Sequence, residues 1–142
     1  MDPIGRSLLQ LVQDSPDAVL VADREGIIRY WNAAAERIFG WTAGEAIGQS
    51  LDLIIPEKQR SRHWEGYHRV MATGETKYKT GLLSAPGVRK DGSRVSLEFS
   101  MVMLRDEAGA MQGCGSILRD VTERRLQEKE LRARLAACEG DK

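Results

Sequence analysis

The two histidines, His63 and His68, are the only imidazoles in a chain of 142 residues, and both fall in one stretch with helical spacing. Five positions apart, they point about 140° away from each other around a helix, so they do not chelate one ion as an i, i+4 pair would. His63 instead shares a side with Tyr67, Val70 and Met71, at offsets of four, seven and eight, which puts a lone imidazole on an apolar stripe. Such a residue either satisfies a hydrogen bond within the packing or offers a neutral nitrogen to a ligand. Acid–base and nucleophilic sets are not visible. No serine sits in a Gly-x-Ser-x-Gly elbow, no glycine-rich loop leads into a helix through Lys-Ser or Lys-Thr, and Glu36 and Glu45 fall in capping or solvent roles. The chain is therefore expected not to be an enzyme. Cys114 and Cys138 lie far apart in unlike contexts and read as thiols.

The elements that must position His63 follow from periodicity and punctuation. Asp2-Pro3 starts a helix over residues 3–14, with Ile4, Leu8, Leu11 and Val12 as an apolar stripe that needs a partner surface. Two β-rich runs, Ala18–Asp23 and Ile27–Trp31, flank Arg24-Glu25-Gly26 as a hairpin. Asn32 caps a helix through Phe39 that Gly40 ends, and Thr42-Ala43-Gly44-Glu45 matches a capping box for another short helix. Pro56 opens the helix that carries His63, from Glu57 to Thr73, closed by Gly74.

Lys77–Leu83 reads as a strand and Lys90-Asp91-Gly92-Ser93 as a turn. Val95, Leu97, Phe99, Met101 and Met103 then alternate with polar residues, the pattern of a strand with one buried face. Met111–Leu118 is the last strand, where Gly113 and Gly115 leave room for a close approach to the backbone. From Thr122 the chain turns helical and charged, with Leu131, Leu135 and Cys138 at the four-three spacing of a short coiled-coil seam. A hairpin, a run of helices and a three-stranded meander predict an α+β fold: one antiparallel sheet with helices on one side and a concave space between them.

Composition narrows the partners. Lysine plus arginine and aspartate plus glutamate both total 21, so no long-range field draws polyanions, and nucleic acid is not expected as a partner. No apolar run approaches the roughly 20 residues that cross a bilayer, and the N-terminus lacks the pattern of a cleaved leader, so no membrane association and a cytoplasmic location are expected.

The segment Ala33-Ala34-Ala35-Glu36-Arg37-Ile38-Phe39-Gly40-Trp41, followed by Glu45-Ala46-Ile47-Gly48, resembles the helical core of a PAS domain. The Arg89-Lys90-Asp91-Gly92-Ser93 turn and the closing Arg119-Asp120-Val121-Thr122-Glu123-Arg124 match the same family in the same order. The resemblance implies a five-stranded antiparallel sheet and a domain over 15–121, flanked by an N-terminal helix (1–14) and a C-terminal signalling helix (122–142). It also implies a sensory or dimerising role, with Asp120 and Thr122 at the junction that transfers the signal. The partners implied are a second copy, meeting through the N- and C-terminal helices, and an output domain such as a histidine kinase, cyclase or regulator.

Pro56-Glu57-Lys58-Gln59-Arg60-Ser61-Arg62-His63 is similar to the stretch in haem-binding PAS sensors of the FixL type that ends in the proximal iron ligand. The resemblance implies that haem b is the cofactor, with His63 as its iron ligand. Tyr67, Val70, Tyr78, Gly81, Leu83, Phe99, Met101 and Gly115 are then the candidate pocket residues. Where oxygen sensors of this type place an arginine over the gas, this sequence has Leu83, so carbon monoxide or nitric oxide is favoured over oxygen. Photoreceptors of the light-oxygen-voltage type carry a reactive cysteine near the position of Ser50–Leu53, which this chain lacks. The competing expectation is a cofactor-free dimerisation module whose core is filled by Tyr67, Tyr78, Phe99, Met101 and Met103.

Overall fold

The computed structural model describes residues 2–76 and 81–140. In chain order they form α1 (Pro3–Gln13), β1 (Ala18–Asp23), β2 (Ile28–Trp31), α2 (Ala33–Phe39), α3 (Ala43–Ala46) and a 3-10 turn (Leu51–Leu53). Then follow α4 (Glu57–Thr73), β3 (Leu83–Val88), β4 (Arg94–Arg105), β5 (Met111–Asp120) and α5 (Thr122–Gly140). The strands pair antiparallel in the order β2-β1-β5-β4-β3. The strand that closes the chain therefore lies at the centre of the sheet.

Local chemistry sets the short elements. Asp2 accepts a hydrogen bond from the Gly5 amide (2.6 Å) with Pro3 in the first turn, which starts α1. Thr42 and Glu45 form the expected reciprocal capping box around α3. Asn32, completely buried, does more than cap α2. Its Oδ1 accepts from the amides of Val19 (2.9 Å) and Ala35 (3.0 Å), and its Nδ2 donates to the carbonyls of Val12 (2.8 Å) and Asp17 (3.1 Å). All of its polar capacity is used, as burial of an amide requires, and it ties the end of α1 to β1 and α2.

The main core lies between the sheet and the helices that follow β2. Trp31 and Phe39 pack with centroids 5.4 Å apart, and Trp31 donates through Nε1 to the Trp41 carbonyl (3.0 Å). Gly113 matters on the other side: a Cβ there would lie 2.1 Å from the Ala22 carbonyl oxygen. The close approach read from that glycine is made by the neighbouring strand β1, so it is a packing device rather than a ligand contact.

One strand is displaced from its expected place. The strand begins at Leu83 and runs to Val88, whereas Lys77–Leu83 was expected. Residues 77–80 lie outside the described residues, and Gly81 and Leu82 are exposed and not in a strand. The cause is legible in the pairing: Leu83, Ala85 and Gly87 oppose Phe99, Leu97 and Val95. Pro86 is compatible with that role because β3 is at the sheet edge, where a missing amide donor need not break a ladder. At the two ends, α1 has no buried residue and exposes Ile4, Leu8 and Leu11, while α5 exposes Leu126, Leu131 and Leu135.

Candidate ligand-binding site

A cavity of about 940 Å³ separates α4 from the sheet. That is at the large end of the roughly 300–1,000 Å³ usual for small-molecule sites. Its floor is the period-two inner face of the sheet: Leu20 and Ala22 of β1, Leu83 and Ala85 of β3, Leu97, Phe99, Met101 and Met103 of β4, and Cys114, Ser116 and Leu118 of β5. Leu51, Ile54 and Ile55 close one side, and His63, Tyr67, Val70 and Met71 of α4 form the roof. Gln59, Arg62, Glu65 and Arg69 bring polar groups to the rim. The chamber is apolar inside and charged at its edge.

His63 is held in this roof by two anchored aromatic neighbours. Its ring meets Trp64 edge-on at 4.7 Å and Tyr67 at 5.7 Å. Trp64 donates through Nε1 to Asp52 (2.7 Å), and its ring covers Gly26, where a Cβ would come within 2.2 Å of it. Gly26 also has φ +79°, so both the space and the turn demand glycine. The Tyr67 hydroxyl donates to the Asp23 carbonyl. The His63 Nδ1 atom is buried and has no hydrogen-bond partner. Burial pushes the His63 pKa down, against the opposing pull of the Asp52 carboxylate and with help from His68, so the ring is neutral at neutral pH. His68, on the other side of the helix, is exposed and stacks on Trp64 at 5.8 Å.

The candidate residues do not all meet. His63, Tyr67, Val70, Leu83, Phe99 and Met101 line the cavity. Tyr78 lies outside the described residues. Gly81 is exposed and does not line the cavity. Gly115 does not line it either, because Cys114, Ser116 and Leu118 take the inner side of β5 and the period of two turns Gly115 to the outer side, opposite Val102 and Val21. Among the lining residues that the sequence reading passed over are Cys114 and Ser116, although counting back by two from Leu118 reaches both. No tryptophan lines the cavity. Tyr67, Phe99, Met101 and Met103 stand on its wall without filling it.

At the far end of β5 the strand passes into α5 through a compact polar joint. Asp120 Oδ1 accepts from the Thr122 amide (2.9 Å) and hydroxyl (2.6 Å). The Ser96 amide donates to Thr122 Oγ1 (2.9 Å), and the Val121 amide donates to the Ser96 carbonyl (2.9 Å). Arg89 reaches the same joint. It pairs with Asp120 (3.3 Å) and donates to the carbonyls of Ile38 (3.2 Å) and Arg94 (2.7 Å). Burial raises the Asp120 pKa, but the Thr122 hydrogen bonds and the Arg89 guanidinium outweigh it and hold the carboxyl below its ordinary value.

Comparison with known proteins agrees with this architecture. The sensor protein FixL of Bradyrhizobium diazoefficiens is 34% identical over 131 residues, covering 89% of this chain and 24% of that protein. The oxygen sensor protein DosP of Escherichia coli is 24% identical over 129 residues, covering 91% of this chain and 16% of that protein. The chain thus spans about a quarter or less of these relatives' length. Among solved structures, an RNA-binding light-oxygen-voltage receptor superposes with a TM-score of 0.76 at 25% identity, over 94% of this chain and 37% of that one. The PAS domain of a Colwellia psychrerythraea protein gives 0.74 at 22% identity, over 84% and 98%. A family model described as PAS fold matches residues 12–126. With that match, the five-stranded antiparallel sheet and the helices on its inner face, the chain belongs to the PAS-fold family.

Proposed function

We propose that this chain is a sensory module whose ligand is held between the sheet and α4, and that the ligand is haem b bound through His63 and used to detect a diatomic gas. The observation that carries the reading is the half-buried His63 ring, which lines an apolar cavity of about 940 Å³ and whose buried Nδ1 has no hydrogen-bond partner. A buried polar atom left unpaired is costly, which disfavours a purely packing role for this ring. Its lowered pKa keeps the neutral, ligating form available at neutral pH. The other residues suit the group as well. Leu83, Leu97, Phe99 and Met101 offer apolar surface to a macrocycle, and Arg62 and Arg69 at the rim are cations that can face its carboxylates. Haem, when bound, supplies an iron with a coordination position open to a gas.

Similarity to FixL and to the oxygen sensor DosP supports a sensing role. In this chain the wall contributes Leu83 and no hydrogen-bond donor from that position, which favours carbon monoxide or nitric oxide over oxygen. The protein produced with ample haem supply should show a Soret band that His63→Ala abolishes. A band that survives in His63→Ala, or its failure to form on reconstitution with hemin, would refute the assignment.

The proposal extends to output. β5 both lines the cavity and continues through the Asp120–Thr122 joint into α5, which offers a route from occupancy to an output domain such as a histidine kinase, cyclase or regulator. A homodimer through the apolar stripes of α1 and α5 accompanies it, supported by the exposure of Ile4, Leu8, Leu11, Leu131 and Leu135. Sedimentation tests this: Leu8→Glu combined with Leu11→Glu should shift a dimer toward monomer, and an unchanged sedimentation coefficient would count against the interface.

A further inference from the structure

The described methionines are Met71, Met101, Met103 and Met111, four of the five in the sequence, and they pack in one cluster, three of them on the cavity wall. They come from three elements, α4, β4 and β5, and they gather around the buried Cys114: Met71, Met111 and Cys114 form one cluster, with Met101 and Met103 packed against it. The main core, in contrast, is made of aliphatic and aromatic side chains and contains no sulfur. Met103 and Cys114 are direct cross-strand partners on the inner face, a position that puts Cβ atoms roughly 5 Å apart. Met71, Met101, Met103 and Cys114 all line the cavity. These four sulfur-bearing side chains thus border the chamber.

From this convergence we propose that the sulfur-lined end of the cavity is a binding site for a soft monovalent metal ion, copper(I) in particular, with Cys114 as thiolate ligand and the surrounding methionines as thioether ligands. Thiolate and thioether donors select copper(I) over harder ions. Charge selects the valence. One thiolate neutralises one monovalent cation, whereas a divalent ion would leave a net charge in apolar surroundings. Among the described residues, no group of three or more histidines, cysteines or acids is placed to hold a harder metal. The step balances simply: the copper–sulfur bond forms as the Cys114 thiol proton leaves to solvent, with no change of oxidation state. Burial pushes the free thiol's pKa up, against hydrogen bonds with Ser116 and the Val102 backbone, so the thiol is protonated at neutral pH and copper(I) binding must displace that proton, which makes the affinity rise with pH.

The site shares its cavity, and Met101, with the proposed haem site, so the test is made on haem-free protein, where the two readings separate. The whole chain, free of haem, is titrated anaerobically against copper(I) complexed by bathocuproine disulfonate, with Cys138→Ser as background to remove the exposed thiol. One copper(I) per chain should be withdrawn from the chelator. Cys114→Ser and the volume-conserving Met103→Leu should each weaken binding on the order of tenfold or more, as loss of a metal ligand does. His63→Ala should leave the affinity unchanged, and zinc(II) should not compete. Circular dichroism of each variant establishes that the fold is intact, and Met71→Leu provides a second thioether deletion should Met103→Leu unfold. Parental affinity in both Cys114→Ser and a folded methionine variant would overturn the site, as would failure of the parent to take copper(I) from the chelator.

Discussion

Removal of one hydroxyl should loosen the roof of the cavity without unfolding the sheet. The Tyr67 hydroxyl donates to the Asp23 carbonyl and so fixes the middle of α4 to the end of β1. Burial pushes the Tyr67 pKa far above its ordinary value, so the donor persists at any working pH. In Tyr67→Phe the Asp23 carbonyl still accepts from the Gly26 amide (3.0 Å), so no buried acceptor is orphaned. The loss is then the net value of one neutral hydrogen bond, about 1 kcal/mol, or roughly a fivefold shift in the equilibrium for lifting α4. The remaining anchors hold the helix in place: Trp64 to Asp52 (2.7 Å) and Arg105 to the Gly74 carbonyl (2.6 Å). Native-state hydrogen exchange reads the effect directly. Amides of residues 63–73 should exchange about fivefold faster, while those of β1 and β5 keep their parental rates, because lifting one helix is a sub-global opening. Equal acceleration in α4 and in the central strands would show that Tyr67 contributes only to global stability, and no acceleration would show that the hydroxyl anchors nothing.

Three further outcomes follow from the same contacts. In the haem-loaded protein, Leu83→Arg should raise oxygen affinity relative to carbon monoxide by supplying a donor to the cavity wall, and an unchanged ratio of the two affinities would refute the role given to Leu83. Asn32→Ala removes a helix cap and leaves the amides of Val19 and Ala35 and the carbonyls of Val12 and Asp17 without that partner. The expected loss in urea denaturation is about 3–5 kcal/mol, and a loss under about 1 kcal/mol would contradict the network. The Asp120 carboxyl is held below its ordinary value in the fold, so its stabilising contribution is full above the unfolded value of 3.8 and is lost as pH falls through the lower folded value. Exchange of the first-turn amides of α5 should therefore quicken below about pH 4 in the parent and show no such step in Asp120→Asn; a step persisting in the variant would assign it to another carboxylate.

Much of this architecture follows from local signals. The alternation from Val95 to Met103 reports one buried face because every second residue of β4 faces the cavity or the core, and the Thr42–Glu45 box reports its helix because the capping chemistry is self-contained. Asn32 is legible as a cap, but not as the four-way tie it makes, since Val12, Asp17 and Val19 reach it only through tertiary packing. β3 is the opposite case. Pro86-Gly87 is turn punctuation by composition, and only pairing with β4 at an open edge makes that segment a strand. In the site, helical spacing suffices to place His63, Tyr67 and Val70 together on the roof. Gly115 draws attention as a glycine, yet the inner face belongs to its neighbours, because the phase of β5 is set by where Leu118 meets the core. The methionine cluster is invisible in the sequence for the same reason: its members lie on three elements that only the fold brings together.

On the proposed reading, the route from cavity occupancy to α5 is constrained by where that helix is attached. The named side-chain contacts from α5 to the sheet come from its first turn: Thr122 to Ser96, Arg124 to Glu98, and Arg125 to Ser84 (2.9 Å). Farther along, the hydrogen bonds and ion pairs of the described residues run within the helix, as between Arg134 and Glu130 (2.8 Å), and its side chains are exposed. The residues that receive the first turn alternate along β4 and β3 with the residues that line the cavity: Ser96 and Glu98 with Leu97 and Phe99, and Ser84 with Leu83 and Ala85. Each strand therefore carries cavity-facing side chains on one face and helix-holding side chains on the other. Under the proposed function, a small shift or twist of β3 and β4 on ligand entry would change the seat of the first turn, and a helix of 19 residues would convert that change at its base into a larger displacement at its far end. On the proposed reading, the angle of α5 rather than its stability is the transmitted quantity, since ligand-dependent melting of the helix would require contacts along its length that the sheet does not make.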